Sequence, residues 1–516
     1  MDLTGAKVLA RAGLLKPMRP DRLLGMALAV ARWGLTPATG YAAGAARHPD
    51  RVAILDDEGA LTYREIDQRT DRLAGELRAR GIHEGAAVGL LARNGRGFVE
   101  GSIAISKCGA DVLFLNTGSA GGQLAQVLDR EQAVAIVHDE EFTDLLAEAA
   151  ANRLVVTTEE LGELAGSSTL SAPPKTGHVT RLVILTSGTT GAPRGAARSG
   201  ASVDDVVSML SRIPLRAGEP TFIASPIFHA WGLGHLTMAM LLGSTVVLSK
   251  KFDPARVLQA IEDTEATALV VVPVMLDMLL AADPSRYDLS SLRVVASSGS
   301  ALPGGLATRV LDAFGPVLYN LYGSTEVAYA AVAGPEDLAA DPQTAGRPPY
   351  GVTLRIVDDK GQDVEQGEPG RLFVGSTLAF EGYTDGSDKD RLDGLIATGD
   401  LGLIDQDGRL TVLGRDDDMV VIGGENVYPG QVEDVLLGHP GVTDVALTSE
   451  PDEKYGARLI AHVVGKVDEE ELKALVRDKL ARFAVPREFR FLDALPRNAT
   501  GKVLKRELTA PGGPPR

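Results

Sequence analysis

Helical and strand-like patterns alternate along the first two thirds of the chain. The segment LTYREIDQRTDRLAGELRARG (61–81) puts Leu61, Ile66, Leu73 and Leu77 at helical spacing, and AAVGLLARN after it reads as a buried strand. Short β-branched runs recur as AVAIVHD, RLVVTT, RLVILTSG, TFIASP, STVVLSK, ATALVVVP and LRVVASSGS, most of them ended by Gly, Ser or Pro. Runs so short and apolar suit strands buried on both faces. The helical spacers between several of them predict mainly parallel α/β layers. After about Gly351 the texture changes: VTLRIVDDKGQDV, GRLFVGS and GRLTVLGR carry turn residues between strand-like runs, which predicts a β-rich subdomain built from hairpins. Beyond GRDDD (414–418) a small α+β unit is expected. It comprises strand MVVIG, helix PGQVEDVLLG, strands VTDVALTS and RLIAHVVG, and a helix from Asp468 with Leu472, Leu475, Val476 and Leu480 on one stripe. The expected division is therefore a basic segment 1–40, a large unit 41–414, a connector 415–418, a small mobile unit 419–508 and a frayed tail 509–516.

The amino terminus departs from the rest in charge. Lys7, Arg11, Lys16, Arg19, Arg22 and Arg32 stand against Asp2 and Asp21, a local +4 in a chain whose formal charge is −17. The apolar stretch LLGMALAVARWGL (23–35) is too short and interrupted to span a bilayer, which takes about 20 residues. No clean cleavage site follows it, so a signal peptide is not read there either. A helix packed on the body is the first expectation, and an interfacial helix touching anionic lipid is the second.

Composition narrows the class. At 516 residues the chain exceeds the ~250–300 at which one core stops growing, so more than one core is expected. The lone Cys108 excludes an intramolecular disulfide framework and a cysteine zinc cluster, suits a reducing, cytoplasmic setting, and reads as a buried, inert thiol. The acidic balance argues against a nucleic-acid binder, because phosphate-backbone affinity needs clustered Lys and Arg. Anionic ligands must be held by local arrangements.

The densest local signal is TSGTTGAPRG (186–195), four hydroxyls and three glycines directly after the strand RLVIL. Such a loop can bring backbone N–H groups and hydroxyls close to a polyanion, with Arg194 adding charge. It fits neither the P-loop pattern GxxxxGK[ST] nor a helix-opening GxGxxG. Further along stand SPIFHAWG (225–232), SSGSALP (297–303), YGSTE (322–326), TGD (398–400), GRDDDMVVIGGENVYPGQVE (414–433) and PRNATGK (496–502).

Those seven motifs, in that order, resemble the adenylate-forming superfamily of acyl-CoA synthetases, luciferases and peptide-synthetase adenylation domains, over about residues 40–508. The resemblance implies ATP-dependent activation of a carboxylic acid to an acyl-adenylate with pyrophosphate release, then transfer to the thiol of coenzyme A. An acyl carrier protein is the alternative acceptor, and a catalytically silent nucleotide binder the alternative of another class. It implies that Thr186, Ser187, Gly188, Thr189, Thr190 and Gly191 hold the β- and γ-phosphates, with Arg194 where the family usually has Lys. Tyr322 would stack on adenine, Thr325 lie near the α-phosphate, and Glu326 bind the Mg²⁺ bridging ATP oxygens. Gly299, Ser300 and Ala301 would line the adenine and acyl pocket, and Asp400 and Arg415 would contact the ribose. Lys502 would orient the carboxylate and balance charge on the α-phosphate. Asp417 would be the hinge on which the small unit rotates between the half-reactions, Gly423 and Gly424 would line the thiol channel, and His229 would sit beside the acyl pocket. PIFHAWGLG offers no carboxylate to bind an α-ammonium, which disfavours amino acids. The apolar WGLGHLTMAMLL (231–242) and small residues after Glu326 suit an apolar tail, so fatty acids rank first and aryl acids second. Peripheral membrane contact would accompany a water-insoluble acid.

Overall fold

The computed structural model describes all residues except 1, 35, 176, 187–193, 199–201, 377–378, 381, 385, 387, 417–418, 423–424, 453–454, 481, 499–500 and 510–516. Two large sheets dominate. One has six strands in the order Leu154–Thr157, Ala135–His138, Ala87–Leu91, Asp111–Phe114, Leu182–Thr186 and Arg194–Arg198, all parallel except the last. The other has eight: Ala331–Ala333, Leu318–Tyr322, Val294–Ser297, Ala268–Val271, Thr221–Ile223, Val246–Val247, Val52–Asp56 and Gly59–Thr62, with antiparallel strands only at the two edges. The parallel α/β layers expected from the short apolar runs are thus present.

Burial explains why those runs do not alternate. Phe222, Val247, Leu269, Val271 and Val295 enter one core, while their chain neighbours Ile223, Val246, Ala268, Val270 and Val294 enter another. Both faces of the sheet are dry, so these strands read as nearly continuous apolar runs. The second of these cores also takes Val88, Leu90, Val112 and Phe114 of the six-stranded sheet, fastening the two sheets together. Asn94 bridges them by hydrogen bonding: its Nδ2 donates to the carbonyls of Ile223 (3.1 Å) and Ser225 (2.9 Å), and its Oδ1 accepts from Ile227 N at 3.0 Å.

The helix expected over 61–81 runs Tyr63–Ala79 and starts at a capping box. Thr62 Oγ1 accepts from Glu65 N, and Glu65 Oε2 accepts from Thr62 N at 2.7 Å, satisfying two otherwise orphaned donors. Cys108 is fully buried with Sγ 3.3 Å from the Ala74 carbonyl, and burial pushes its pKa up to about 12, so it is inert as expected.

The β-rich region is an antiparallel sheet of Thr353–Val357, Gly370–Gly375 and Leu395–Ile404, with Arg391–Leu392 and Leu410–Arg415 also pairing with the long third strand. Further on, the hairpin Val420–Ile422/Glu425–Val427 and the sheet of Val442–Asp452, Gly456–Gly465 and Glu488–Phe491 share a core with helices Pro429–Leu437 and Glu469–Lys479. The amino terminus forms helices Leu3–Arg11, Pro20–Trp33 and Pro37–Arg47.

Candidate active site

The parallel strands of the eight-stranded sheet run their carboxyl ends toward one cavity of about 880 Å³, whose wall includes Ser225, Val272, Ser298, Gly299, Thr325 and Glu326 from the loops that follow them. This is where open α/β sheets place ligands, since the loops there diverge and leave a crevice. Asp400 and Arg415 reach it from the antiparallel sheet, and Lys502 from the far carboxyl-terminal turn.

The Tyr-Gly-Ser-Thr-Glu run folds back sharply. Ala328 N donates to Ser324 O at 2.9 Å and Ala330 N to Tyr322 O at 2.9 Å, and a Cβ on Gly323 would overlap the Ala328 carbonyl oxygen. Only glycine permits this turn, which presents Thr325 and Glu326 to the cavity. Glu326 Oε1 accepts a hydrogen bond from Tyr383 Oη at 2.6 Å. Burial alone raises the carboxyl pKa, but the bonds from Tyr383 and Ser324, with the charge of Lys389, hold it below its ordinary value, so Glu326 is an anion.

Asp400 and Arg415 are register partners across two antiparallel strands. Gly399 between Thr398 and Asp400 has φ +80°, and a Cβ there would lie 3.0 Å from Arg415 Nη2, so the guanidinium packs where a side chain would be. Arg415 Nη1 is 3.5 Å from Asp400 Oδ1 and donates to Thr398 O at 3.2 Å. Tyr322 Oη donates to Asp400 Oδ2. Burial pushes the Asp400 carboxyl up, opposed by Tyr322, Arg415 and Thr398; burial and the Asp400 charge keep the Tyr322 phenol protonated as donor.

His229 is the N-cap residue of helix Ala230–Leu242 and lines the cavity. Its Nε2 is buried with no hydrogen-bond partner, its ring lies 4.4 Å from that of Phe228, and burial lowers its pKa to about 4. The imidazole is therefore neutral near pH 7. From the same helix Trp231, Gly234, Met238 and Leu241 contribute apolar wall, joined by Val206 and Tyr329. Lys502 follows a turn in which its N donates to Asn498 Oδ1 at 2.9 Å, and Arg497 ties that turn to Asp444 at 2.7 Å.

Residues 41–384 match the family model described as AMP-binding enzyme, and residues 431–502 match that described as AMP-binding enzyme C-terminal domain. The chain belongs to the AMP-binding enzyme family. It is 34% identical to the feruloyl-CoA synthase of an Amycolatopsis species, over 89% of this chain and 96% of that one. It is 30% identical to the fatty acid–[acyl-carrier-protein] ligase ScoC of Streptomyces coeruleorubidus, over 90% of this chain and 94% of the relative. In fold it is similar to the o-succinylbenzoate CoA synthetase MenE of Bacillus subtilis solved with the acyl-adenylate OSB-AMP. The TM-score is 0.83 at 27% identity, covering 91% of this chain and 98% of that one. The same enzyme solved with ATP and magnesium ion aligns with a TM-score of 0.82, again at 27% identity, covering 91% and 99%. This AMP-binding enzyme is an AMP-forming acid–thiol ligase that uses ATP, Mg²⁺ and coenzyme A.

The donor chemistry of the cavity fits Mg²⁺. Glu326 supplies an ionised carboxylate and Thr325 a hydroxyl. Among the described residues no group of three or more His, Cys, Asp or Glu stands together. One carboxylate completed by phosphate oxygens and water is how Mg²⁺ is commonly held, because it dehydrates reluctantly.

Of the residues expected from sequence, Gly299, Thr325, Glu326, Asp400, Arg415, His229 and Lys502 share this cavity. Tyr322, Ser300 and Ala301 are not in its wall; Tyr322 touches it through the Asp400 carboxylate. Ser187, Gly188, Thr189, Thr190 and Gly191, Asp417, and Gly423 and Gly424 lie outside the described residues, and of Thr186 and Arg194 only their strand pairing is described. Tyr329 lies in the run after Glu326 expected to wall the pocket, whereas Tyr383, Asn94 and the cavity-lining Thr36, Pro37, Thr39 and Gly40 were not anticipated. Each sits far in sequence from its partner or outside any motif.

Proposed function

We propose that this enzyme activates an aryl carboxylic acid and transfers it to coenzyme A. The observation that carries the reading is one cavity walled both by Glu326, Asp400, Arg415 and Lys502 and by Trp231, Gly234, Met238 and Tyr329, charged groups for a nucleotide and an apolar wall for a flat ring. The likeness to feruloyl-CoA synthase and MenE supports it and reverses the ranking that put fatty acids first.

In the first half-reaction an acid carboxylate oxygen bonds to the ATP α-phosphorus as the bond to pyrophosphate breaks; in the second the CoA sulfur bonds to the acyl carbon and AMP leaves. Neither step needs a protein nucleophile, consistent with the buried Cys108. Lys502 orients the carboxylate and balances charge growing on the α-phosphate, a contribution made mainly in the transition state. Glu326 and Thr325 would hold Mg²⁺, which would supply charge neutralisation of the phosphates. Asp400 accepts from the ribose hydroxyls, with Tyr322 and Arg415 fixing the carboxylate. The family resemblance gives the loop 186–191 with Arg194 the outer phosphates, Asp417 the hinge of the thiol step, and Gly423, Gly424 and His229 the thiol path; of these His229 lines the cavity.

Pyrophosphate release across graded aryl and aliphatic acids tests this. Aryl acids should give the highest kcat/KM, and preference for long aliphatic acids would contradict it. The likeness to ScoC favours carrier protein as the second acceptor to examine; product formed with a carrier protein but not with CoA would select it.

A further inference from the structure

Helix Pro20–Trp33 is apolar on two opposite faces. On the inner one Ala29 and Trp33 are buried, and a Cβ on Gly25 would lie 2.8 Å from Ala46 Cβ, so the helix rests tightly on helix Pro37–Arg47. Arg32 secures the end, donating to Pro173 O at 3.1 Å with its guanidinium 4.5 Å above the Trp33 ring. The outer face is bare: Leu23 is 51% exposed, Leu24 61%, Leu28 60% and Val30 44%. With Ala27 and Ala31 these side chains sweep an arc of roughly 160° at 100° per residue. Leu3 and Leu15 are exposed too, so six of the fourteen exposed large apolar side chains among the described residues fall between positions 3 and 30. The other eight are scattered from Val134 to Phe491, which marks this segment as a patch rather than ordinary surface.

We propose that this amino-terminal segment docks on an anionic lipid surface, with helix Pro20–Trp33 lying in the plane of the interface. Charge decides the occupant. The segment carries +4 while the remainder of the chain carries −21, so an anionic bilayer attracts this part of the molecule and repels the rest, which sets one orientation. A second copy meeting it in a two-fold contact would bring the same basic residues against it. Among the described residues no helix is long and apolar enough to cross a membrane, so the helix lies on the surface rather than spanning it. Three residues past its end the chain reaches Thr36, and Thr36, Pro37, Thr39 and Gly40 line the active-site cavity. The docking element therefore continues directly into the cavity wall, a short path for an apolar acid dissolved in the bilayer. The proposal stands whichever acid is used.

Flotation of the whole enzyme with vesicles tests it, using phosphatidylcholine alone and phosphatidylcholine mixed with phosphatidylglycerol. The enzyme should float with the mixed vesicles only and be released by high salt. Leu24→Glu/Leu28→Glu should weaken binding about a hundredfold, roughly tenfold for each leucine withdrawn from the interface. Pyrophosphate release with a water-soluble acid should stay unchanged, which reports an intact fold. Lys16→Gln/Arg19→Gln should reduce the preference for phosphatidylglycerol. Failure of the unaltered enzyme to float, binding indifferent to phosphatidylglycerol, or binding unaffected by the leucine substitutions would overturn it. So would a dimer that the leucine substitutions convert to monomer without vesicle binding having been present.

Discussion

Tyr383→Phe removes one oxygen and with it the 2.6 Å hydrogen bond to Glu326 Oε1. A hydrogen bond to a charged group is worth ~1.5–3 kcal/mol. Both residues are only partly buried, so the lower end, about 1.5 kcal/mol or a little over one tenfold step, is the reasonable expectation. Two effects should follow. The carboxylate becomes less well oriented, so the Mg²⁺ concentration giving half-maximal pyrophosphate release should rise about tenfold. Glu326 also loses a bond that favours its anion, so its pKa rises. A group held below its ordinary pKa is ionised above that value and is lost as pH falls, so the acid limb of the rate profile should move to higher pH in the variant. The assay is acid-dependent pyrophosphate release at varied Mg²⁺ and pH, with ATP binding measured separately. Unchanged Mg²⁺ dependence together with an unmoved acid limb would refute the role given to Glu326 and its tyrosine.

Three further expectations concern other parts of the molecule. Lys502→Ala should lower acyl-adenylate formation by about 10²–10³-fold while thioester formation from a supplied acyl-adenylate survives; equal loss of both would refute the division. A Cβ on Gly234 would lie 3.6 Å from Tyr329 Oη, an ordinary contact, so Gly234→Ala should be tolerated. Gly234→Leu should fill the cavity and raise the KM for aryl acids ~10–200-fold while a short acid such as propionate is still activated, and an unaltered aryl-acid KM would place the ring elsewhere. Burial holds His229 and His235 neutral with pKa values of about 4. The unfolded chain protonates first, so their contribution to stability is full above about pH 6.5 and lost as pH falls toward 4, roughly 2 kcal/mol each by pH 5. Urea midpoints at pH 7 and pH 5 should show that loss, and His235→Leu should reduce it.

The chemistry-bearing loops were legible because their residue types are demanded locally. Gly323 admits no side chain beside the Ala328 carbonyl, and Gly399 combines a left-handed φ with an overlying guanidinium. Short strands such as Ala268–Val271 were equally visible, since burial on both faces leaves an uninterrupted apolar run. The long strand Leu395–Ile404 was not, because Thr-Gly-Asp interrupts its pattern and a register shift at Leu401/Gly402 absorbs the break. Tyr383 lies 57 residues from Glu326, and Asn94 is 131 residues from Ser225; neither pairing leaves a local trace. The bare face of helix Pro20–Trp33 is hidden for another reason. A helix apolar on two opposite faces does not show from sequence which one packs, and its seating on Ala46 shows which faces out.

On the proposed function, one cavity joins an aryl carboxylate to ATP and then to coenzyme A. The most direct test is a two-stage single-turnover experiment with one arylacrylic acid and one medium-chain fatty acid. Enzyme, acid, ATP and Mg²⁺ are mixed without CoA, and CoA is then added. The aryl acid should accumulate as aryl-AMP with one equivalent of pyrophosphate and be chased to aryl-CoA with release of AMP, faster than the fatty acid at both stages. An aryl acid that yields no adenylate, or an adenylate that CoA does not discharge, would contradict it.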